Sequence, residues 1–559
     1  MSIGAILDYI LDKNVLLSIF YLIIIIVMMI LRKKEKNKVV LIIGIITLFI
    51  GIMHFLVFNI HYFKYMMEYF KQIYIVSFVI FIVSLFRKNK IVFRILSIVA
   101  IICSLYGIYK TVFIVSALSP FHNYSYYGYK DSVVKLIDTL EKEYPLNDWK
   151  QIDYNYLRTK YIPMAEEAEK ENDQVLFYET VTMIGSEFKD GHVGVSVKID
   201  ESFMKLASKF DTNYFGFFTI MADNEEIVAV MVDKNSDAYQ KGLRDGSVIT
   251  KIDGRSASNI LENDYYWNVT SIAVRKNEKL INSDQIIRTL NDTIEVTFLN
   301  EDNKEVVINV HSEDYDTLYS PIYFVLKSQE TENLYTKMLT DDIGYINITS
   351  ENYNSFMDTI SAIIGDSAYT RNIITKKLDE LNDQGMKKLV IDLRDNGGGS
   401  IINANAFASP FLDKTFKYAK TKIELTGEYL YQEVKGTGKY ANIPIVVLVS
   451  ENTGSAGDII AYLLKNNPNV KVMGFMPSAN SAQYAGGTIY LTNGVCFSYP
   501  GGRDEDMEGR PLIDTKKDGI ETIKLDVKIP ITKDNITDII NTNKDGDYAL
   551  DYAIDYLKN

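Results

Sequence analysis

Cysteine is almost absent from this 559-residue chain: there are two, Cys103 in an apolar run and Cys496 in a strand-like stretch. So few cannot form a disulfide framework. No CxxC or HxxH occurs, so a Cys/His zinc site is excluded, and neither metal nor other cofactor is expected. Histidine is scarce at five, which leaves few candidates for a base that titrates near neutrality. Positive charge is in deficit: 59 Lys and Arg against 72 Asp and Glu leave −13, which argues against a nucleic-acid-coating protein. Internal repeats and low-complexity tracts are also missing. Hydrophobic residues, at 47%, exclude disorder and leave core enough for several domains.

The charge is unevenly placed. Residues 1–118 hold 13 Lys and Arg against 4 Asp and Glu, and the remainder holds 46 against 68. Four apolar runs crowd the basic part, at about 15–31, 39–57, 73–86 and 92–118. A spanning helix needs about 20 apolar residues, so a four-helix transmembrane region in a lipid bilayer is expected over 1–118. Asp8 and Asp12 stand where a cleavable signal would be basic. Arg32, Lys33, Lys34, Lys36 and Lys38 fill the first connector, and Arg87, Lys88, Lys90 and Arg94 the third. The excess of cations in alternate connectors predicts a multi-pass cell-membrane protein whose acidic part lies outside the cytoplasm.

The acidic part divides by pattern. Over 119–204 a helical cap is expected, with Val133, Leu136, Ile137 and Leu140 at helical spacing and a second apolar run from Phe177 to Ile184. It ends in the loop Lys189-Asp190-Gly191-His192-Val193. Over 205–312 the chain is β-rich: Phe215-Gly216-Phe217-Phe218 opens a module that continues through Lys241-Gly242-Leu243-Arg244-Asp245-Gly246 and the strand Val248–Ile252. This module resembles a PDZ domain of the bacterial protease type. The resemblance implies capture of a peptide C-terminus on backbone N–H groups around Gly216 and Phe217; a β domain with structural glycines is the other reading. From 313 to 559 strands alternate with helices. Ile343–Ile348, Lys388–Leu393, Ile443–Ser450 and Val470–Val472 read as strands, 367–384 and 548–557 as helices, and Asn493-Gly494 as a hairpin turn.

Ser455 falls between a buried strand and a helix N-terminus, in Glu451-Asn452-Thr453-Gly454-Ser455-Ala456-Gly457-Asp458. Free N–H groups there favour negative charge and suit an activated serine; an N-cap serine fits the same position. Gly397-Gly398-Gly399 follow another buried strand. A donor from that loop, Gly397 or Gly398, with the N–H of Ala456 would form an oxyanion hole; a tight turn is the plainer reading. Of His54, His61, His122, His192 and His311, only His192 has a loop position near these elements, as a base or as a structural histidine.

Together Lys189–Val193, the stretch Leu389–Ser400 and the stretch Val449–Asp458 resemble the signatures of the C-terminal-processing (tail-specific) serine peptidase family, which includes the tricorn-core peptidases. The resemblance covers roughly 125–559 and implies a multidomain chain whose α/β core is a crotonase/ClpP-like spiral. It implies Ser455 as nucleophile, His192 as base, and Ala456 with Gly397 or Gly398 as oxyanion donors. Many members use a lysine in a later turn; here the stretch Gly474–Ser481 has none, and Lys465 and Lys471 lie elsewhere. The His-using branch also employs a late acidic residue, for which Asp514 is favoured over Glu508, with Asp190 as a local alternative. The expectation is a membrane-anchored serine endopeptidase acting on protein or peptide substrates, with no nucleic-acid partner. A non-catalytic peptide- or ligand-binding relative, as in the retinoid-binding branch, is the competing reading.

Overall fold

The computed structural model describes residues 121–197, 213–263, 291–300, 302–313, 332–352, 366–422, 429–514 and 523–559, with 283–287, 289, 325, 327, 328 and 330 between them. Strand β1 (Phe121–Asn123) leads into helices α1 (Tyr129–Glu143), α2 (Asn147–Lys150), α3 (Tyr154–Glu171) and α4 (Gln174–Ser186), then β2 (Gly194–Ser196). The helically spaced Val133, Leu136, Ile137 and Leu140 of α1 are buried in one cluster with Leu157 and Tyr161 of α3 and Phe177, Val181 and Ile184 of α4. Asp153 and Asp173 cap α3 and α4 through their side-chain oxygens, which satisfies N–H groups the helix leaves open.

Among the described residues no helix is long and apolar enough to cross a membrane. The longest of them, α3, carries Arg158, Lys160, Glu166, Glu167, Glu169, Lys170 and Glu171, charges that a bilayer core excludes. The four apolar runs of 1–118 lie outside the described residues. The expected four-helix transmembrane region and multi-pass membrane location are corrected on this finding.

The next unit is an antiparallel sheet of β3 (Phe218–Met221), β4 (Ile227–Val230), β5 (Val248–Ile252), β6 (Arg255–Ser256), β7 (Thr293–Leu299) and β8 (Glu305–His311). Its order is β3-β4-β5-β7-β8, with β6 paired to β5. Helices α5 (Asp237–Gln240) and α6 (Ala257–Asn263) interrupt it. Phe217, Leu243, Ile249, Val296 and Phe298 share its core.

The remainder comprises β9 (Tyr335–Met338), β10 (Ile343–Asn347), α7 (Ala368–Asp383), β11 (Lys388–Asp392), α8 (Ile401–Ala408), β12 (Phe416–Lys422) and β13 (Tyr429–Val434). There follow β14 (Ile445–Leu448), α9 (Ala456–Leu464), β15 (Val470–Gly474), β16 (Tyr484–Tyr490), β17 (Cys496–Gly502), β18 (Asp504–Glu505), β19 (Val527–Lys528), α10 (Ile536–Asp545) and α11 (Tyr548–Lys558). The central sheet runs β19-β15-β14-β11-β10-β9, parallel except for β9 at its edge. Both faces are covered, which is why its strands read as unbroken apolar runs. Leu389, Ile391, Ile445 and Val447 pack toward α7, α8 and α9. The alternate residues Tyr345, Val390, Val446 and Leu448 pack in a cluster with α10, α11 and residues of β3 and β4.

Parallel strands that end together leave their following loops together. Arg394, just past β11, is buried and donates to Asp392 at 2.6 Å and to Asp547 at the start of α11 at 2.6 Å. Burial opposes ionisation of Asp392, yet the guanidinium outweighs it and holds that carboxyl below its usual range. This tie fixes the root of the Gly397–Gly399 loop against the C-terminal helix.

A second sheet, β1-β16-β17-β2, joins the cap to the core. Gly194, Val195 and Ser196 pair with Ser498, Phe497 and Cys496, so β17 draws the loop before β2 to the C-terminal half. The β16–β17 connection turns at Asn493 and Gly494, with φ of 57° and 73°. Both lie in the left-handed region that an Asn-Gly turn accommodates. The third sheet, β13-β12-β18, was not expected from the sequence.

Candidate active site

Three loops meet beyond the strand ends of the central sheet. The one after β14 is sewn to the one after β11 by polar contacts. Thr453 Oγ1 donates to Leu393 O at 2.6 Å, Ser450 Oγ donates to Arg394 O, and Gly454 N donates to Asn396 O at 2.9 Å. Ser455 follows at φ 53° and ψ −119°, immediately before α9. For a residue with a Cβ this backbone is strained, and such strain persists only where the surroundings enforce it. The Ser455 side chain makes no capping hydrogen bond to α9, so the N-cap reading does not describe it. Ala456 begins the helix, where an N–H has no intrahelical acceptor.

The glycine loop presses on this turn. A Cβ built on Gly398 would lie 2.6 Å from Ser455 Cβ and 2.9 Å from Ala456 N. Gly398 N donates to Asn396 Oδ1 at 2.9 Å, and Gly398 O accepts from Ser350 Oγ at 3.0 Å. The N–H of Gly398 is therefore engaged within its own loop, whereas Gly397 is exposed.

His192 is carried by the loop between α4 and β2. Asp190, buried, accepts His192 N on Oδ1 at 2.8 Å and Tyr144 OH on Oδ2 at 2.6 Å. Burial, reinforced by Asp190 and Asp514, pushes Tyr144 well above the ordinary tyrosine range, so it stays a hydrogen donor. His192 Nδ1 lies 2.9 Å from Ser481 Oγ. Ser481 O accepts the N–H of Ser455 at 2.8 Å. Ser481 also bridges Asp514 in antiparallel backbone pairing, and its N–H donates to Asp458 Oδ2 at 2.9 Å. The structure thus gathers Ser455, His192 and Asp514 around Ser481.

Asp514 is 1% exposed and forms an ion pair with Lys150, itself 1% exposed, at the end of α2. Lys150 Nζ also donates to Lys189 O at 2.8 Å. Cap, His192 loop and Asp514 are thereby tied by one buried cation. The alternative acid Glu508 lies at the surface beside Arg510, 3.1 Å away. Lys465 pairs with Asp526 at 2.8 Å, and Lys471 is exposed on β15. Gly216, with φ of 80°, and the buried Phe217 stand directly before β3, in a separate unit. Among the described residues no group of three His, Cys, Asp or Glu could hold a metal ion.

Sequence reasoning missed Ser481, Asp458, Lys150, Tyr144, Asn396 and Glu351. Asp458 had a signal, a carboxylate in the first turn of a helix. Glu351 had none. It is fully buried, and burial raises its carboxyl to about 7 despite the 2.7 Å hydrogen bond from Asn396 Nδ2. It braces the residue that holds Gly398.

This carboxyl makes stability depend on pH. Its folded pKa of about 7 exceeds the ordinary 4.5. The contribution is therefore fully present below 4.5, declines as pH rises, and is lost above about 7, an interval corresponding to about 3 kcal/mol. Urea unfolding at pH 4.5 and pH 7.5 is expected to show a smaller fall in stability for Glu351→Gln than for the unaltered protein. Equal falls would mean that Glu351 does not titrate in this window.

Residues 342–528 match the family model of peptidase family S41. The carboxy-terminal processing protease CtpA of Bacillus subtilis strain 168 is 31% identical over 145 residues, covering 26% of this chain and 27% of that protein. A probable CtpA-like serine protease of Staphylococcus aureus strain MRSA252 is 24% identical over 351 residues, covering 61% of this chain and 60% of the relative. The chain therefore matches less than two thirds of either relative's length. Among solved structures, mature CPAF complexed with lactacystin superposes with a TM-score of 0.50 at 12% identity, covering 77% of this chain and 97% of that one; at that identity the likeness is one of fold. Over residues 342–528, which hold both the Gly397–Gly399 loop and Ser455, this chain is similar to peptidase family S41.

Proposed function

We propose that this chain is a serine endopeptidase that cleaves peptide bonds in protein or peptide substrates. Ser455 is the nucleophile and His192 the base. Ala456 and Gly397 donate N–H groups to the oxyanion, since Gly398 N is already engaged with Asn396. Asp514, neutralised by Lys150, stands behind Ser481 rather than at the surface. The observation that carries this reading is the backbone of Ser455: a strained φ of 53° at a helix start, with the side chain released from capping. That geometry is held by the glycine loop on one side and by Ser481, bonded to His192, on the other. A fluorophosphonate probe is expected to label the intact protein and to leave Ser455→Ala unlabelled. Labelling that survives the substitution would remove Ser455 from the role.

The β3–β8 module serves substrate selection in this reading. β3 is the terminal strand of its sheet, and Gly216 and Phe217 enter it. An extended peptide added along that edge would bring its terminal carboxylate to their backbone N–H groups. The Bacillus relative's carboxy-terminal processing agrees in kind. A substrate peptide with a free C-terminus is expected to bind more tightly than its C-terminal amide in fluorescence anisotropy. Equal affinities would discard the module's role.

A further inference from the structure

We propose that Ser481 is a positioning residue for the reaction, holding base and nucleophile from a single point. The inference rests on the Ser455–His192 reading. The Ser481 hydroxyl meets His192 Nδ1 at 2.9 Å, while its carbonyl accepts the Ser455 N–H at 2.8 Å. A shift of Ser481 therefore moves both partners.

Ser481 is itself tightly held. It is 3% exposed. Its N–H and that of Asn480 donate to the two oxygens of Asp458, at 2.9 and 3.3 Å, and Asp458 lies in the first turn of the nucleophile's own helix. The Asn480 side chain fixes the loop from the other side, accepting from Ile523 N at 2.7 Å and donating to Ser478 O at 3.0 Å. Ala482 N donates to Ile513 O at 3.1 Å, next to Asp514.

The chemistry assigns the hydroxyl its role. In neutral imidazole one ring nitrogen donates and the other accepts, so a serine hydroxyl can pair with Nδ1 in either sense. When His192 takes the nucleophile's proton, both nitrogens become donors, and Ser481 Oγ must then accept from Nδ1. With Nδ1 held there, Nε2 is the nitrogen that exchanges the proton. The acceptor is a neutral hydroxyl. The charged groups tied to the two residues are Asp190, which accepts the His192 N–H, Asp458, which accepts the Ser481 N–H, Asp514 opposite Ser481 in the backbone pairing, and Lys150 paired with Asp514. Tyr144 completes the set as a protonated phenol on Asp190. Removing the hydroxyl takes away an acceptor for the imidazolium, so the base titrates at lower pH and loses its fixed orientation.

The test is steady-state kinetics on the full chain with a peptide substrate. Ser481→Ala is expected to lower kcat by about 10²-fold, the cost of a misplaced reacting group, with KM within a few-fold. The acid limb of its kcat/KM profile moves to lower pH. Ser481→Thr keeps the hydroxyl and restores the limb to its original position. A merely structural role would reduce the amount of folded enzyme without moving the limb. Should the alanine variant lose its thermal transition, Ser481→Cys replaces it, since a thiol accepts weakly. Wild-type kcat and an unmoved limb in the folded variant would overturn the inference. Ser455→Ala in the same assay separates the two claims: if it is inactive while Ser481→Ala is not, only the positioning role falls.

Discussion

Ser455→Ala and His192→Ala are each expected to reduce kcat by roughly 10⁴–10⁶-fold, the range seen when one member of a serine–base unit is removed. Combining them should add little. Either loss abolishes the same event, transfer of the hydroxyl proton as the serine attacks, and what remains comes from substrate binding and the oxyanion donors. Non-additivity is therefore the sharper measurement, since two independent contributions would multiply. The base can be told from a lysine by pH. A histidine starts near 6.5, so activity should fall below roughly pH 6, whereas a lysine starts near 10.4 and must be strongly desolvated to act at neutrality. Lys465, paired with Asp526 at 2.8 Å away from the turn, should tolerate alanine with turnover within a few-fold. A fully active His192→Ala alongside an inactive Lys465→Ala or Lys471→Ala would assign the base to lysine.

Much of the core was legible because parallel strands buried on both faces advertise themselves. The runs expected at Lys388–Leu393 and Ile443–Ser450 became β11 and β14, and the helix expected over 367–384 became Ala368–Asp383. The loops after those strands were legible for the same reason, since a turn must follow a strand that ends. Long-range placement was not. Nothing in Gly194–Ser196 names Cys496–Ser498 as its partner, yet that pairing brings the His192 loop to the serine turn. The β12–β13–β18 sheet was hidden because a register shift between Lys417 and Ala419 breaks the alternation of β12, burying Tyr418 and Ala419 in succession.

The residues behind the site were illegible for a different reason. Lysine is almost never fully buried unless paired, so Lys150 reads as a surface charge at the end of a short helix. Only the fold shows that Asp514 neutralises it. Ser481 lies in a stretch without periodicity, between Asn480 and Ala482, where a serine carries no information until His192 is beside it. The apolar runs of the first 118 residues led the opposite way: a strong hydropathy signal gave an expectation of membrane helices that the described part of the structure does not bear out.

The glycine loop supplies the second large effect. Gly398→Ala is expected to cost about 10²–10³-fold in kcat, the scale of losing one oxyanion donor, although Gly398 is not itself the proposed donor. Its φ of 105° is open to glycine and strained for alanine. The added Cβ would sit 2.6 Å from Ser455 Cβ, 2.9 Å from Ala456 N and 3.0 Å from Gly454 O. Two of those three are backbone atoms, so no side-chain rotation relieves the contact. The loop cannot retreat easily either, because Gly398 N is bonded to Asn396 Oδ1 and Gly398 O to Ser350 Oγ. Nor can the serine turn, with Ser455 already at a strained φ of 53° and its N–H fixed on Ser481 O. Whichever side yields, the Ala456 N–H and the Ser455 hydroxyl leave their alignment. Turnover and the rate of fluorophosphonate labelling should fall together while KM changes little, because both reactions build charge at the same donors. A Gly398→Ala protein that unfolds near the wild-type temperature and keeps wild-type turnover would show that the glycine loop takes no part in the chemistry.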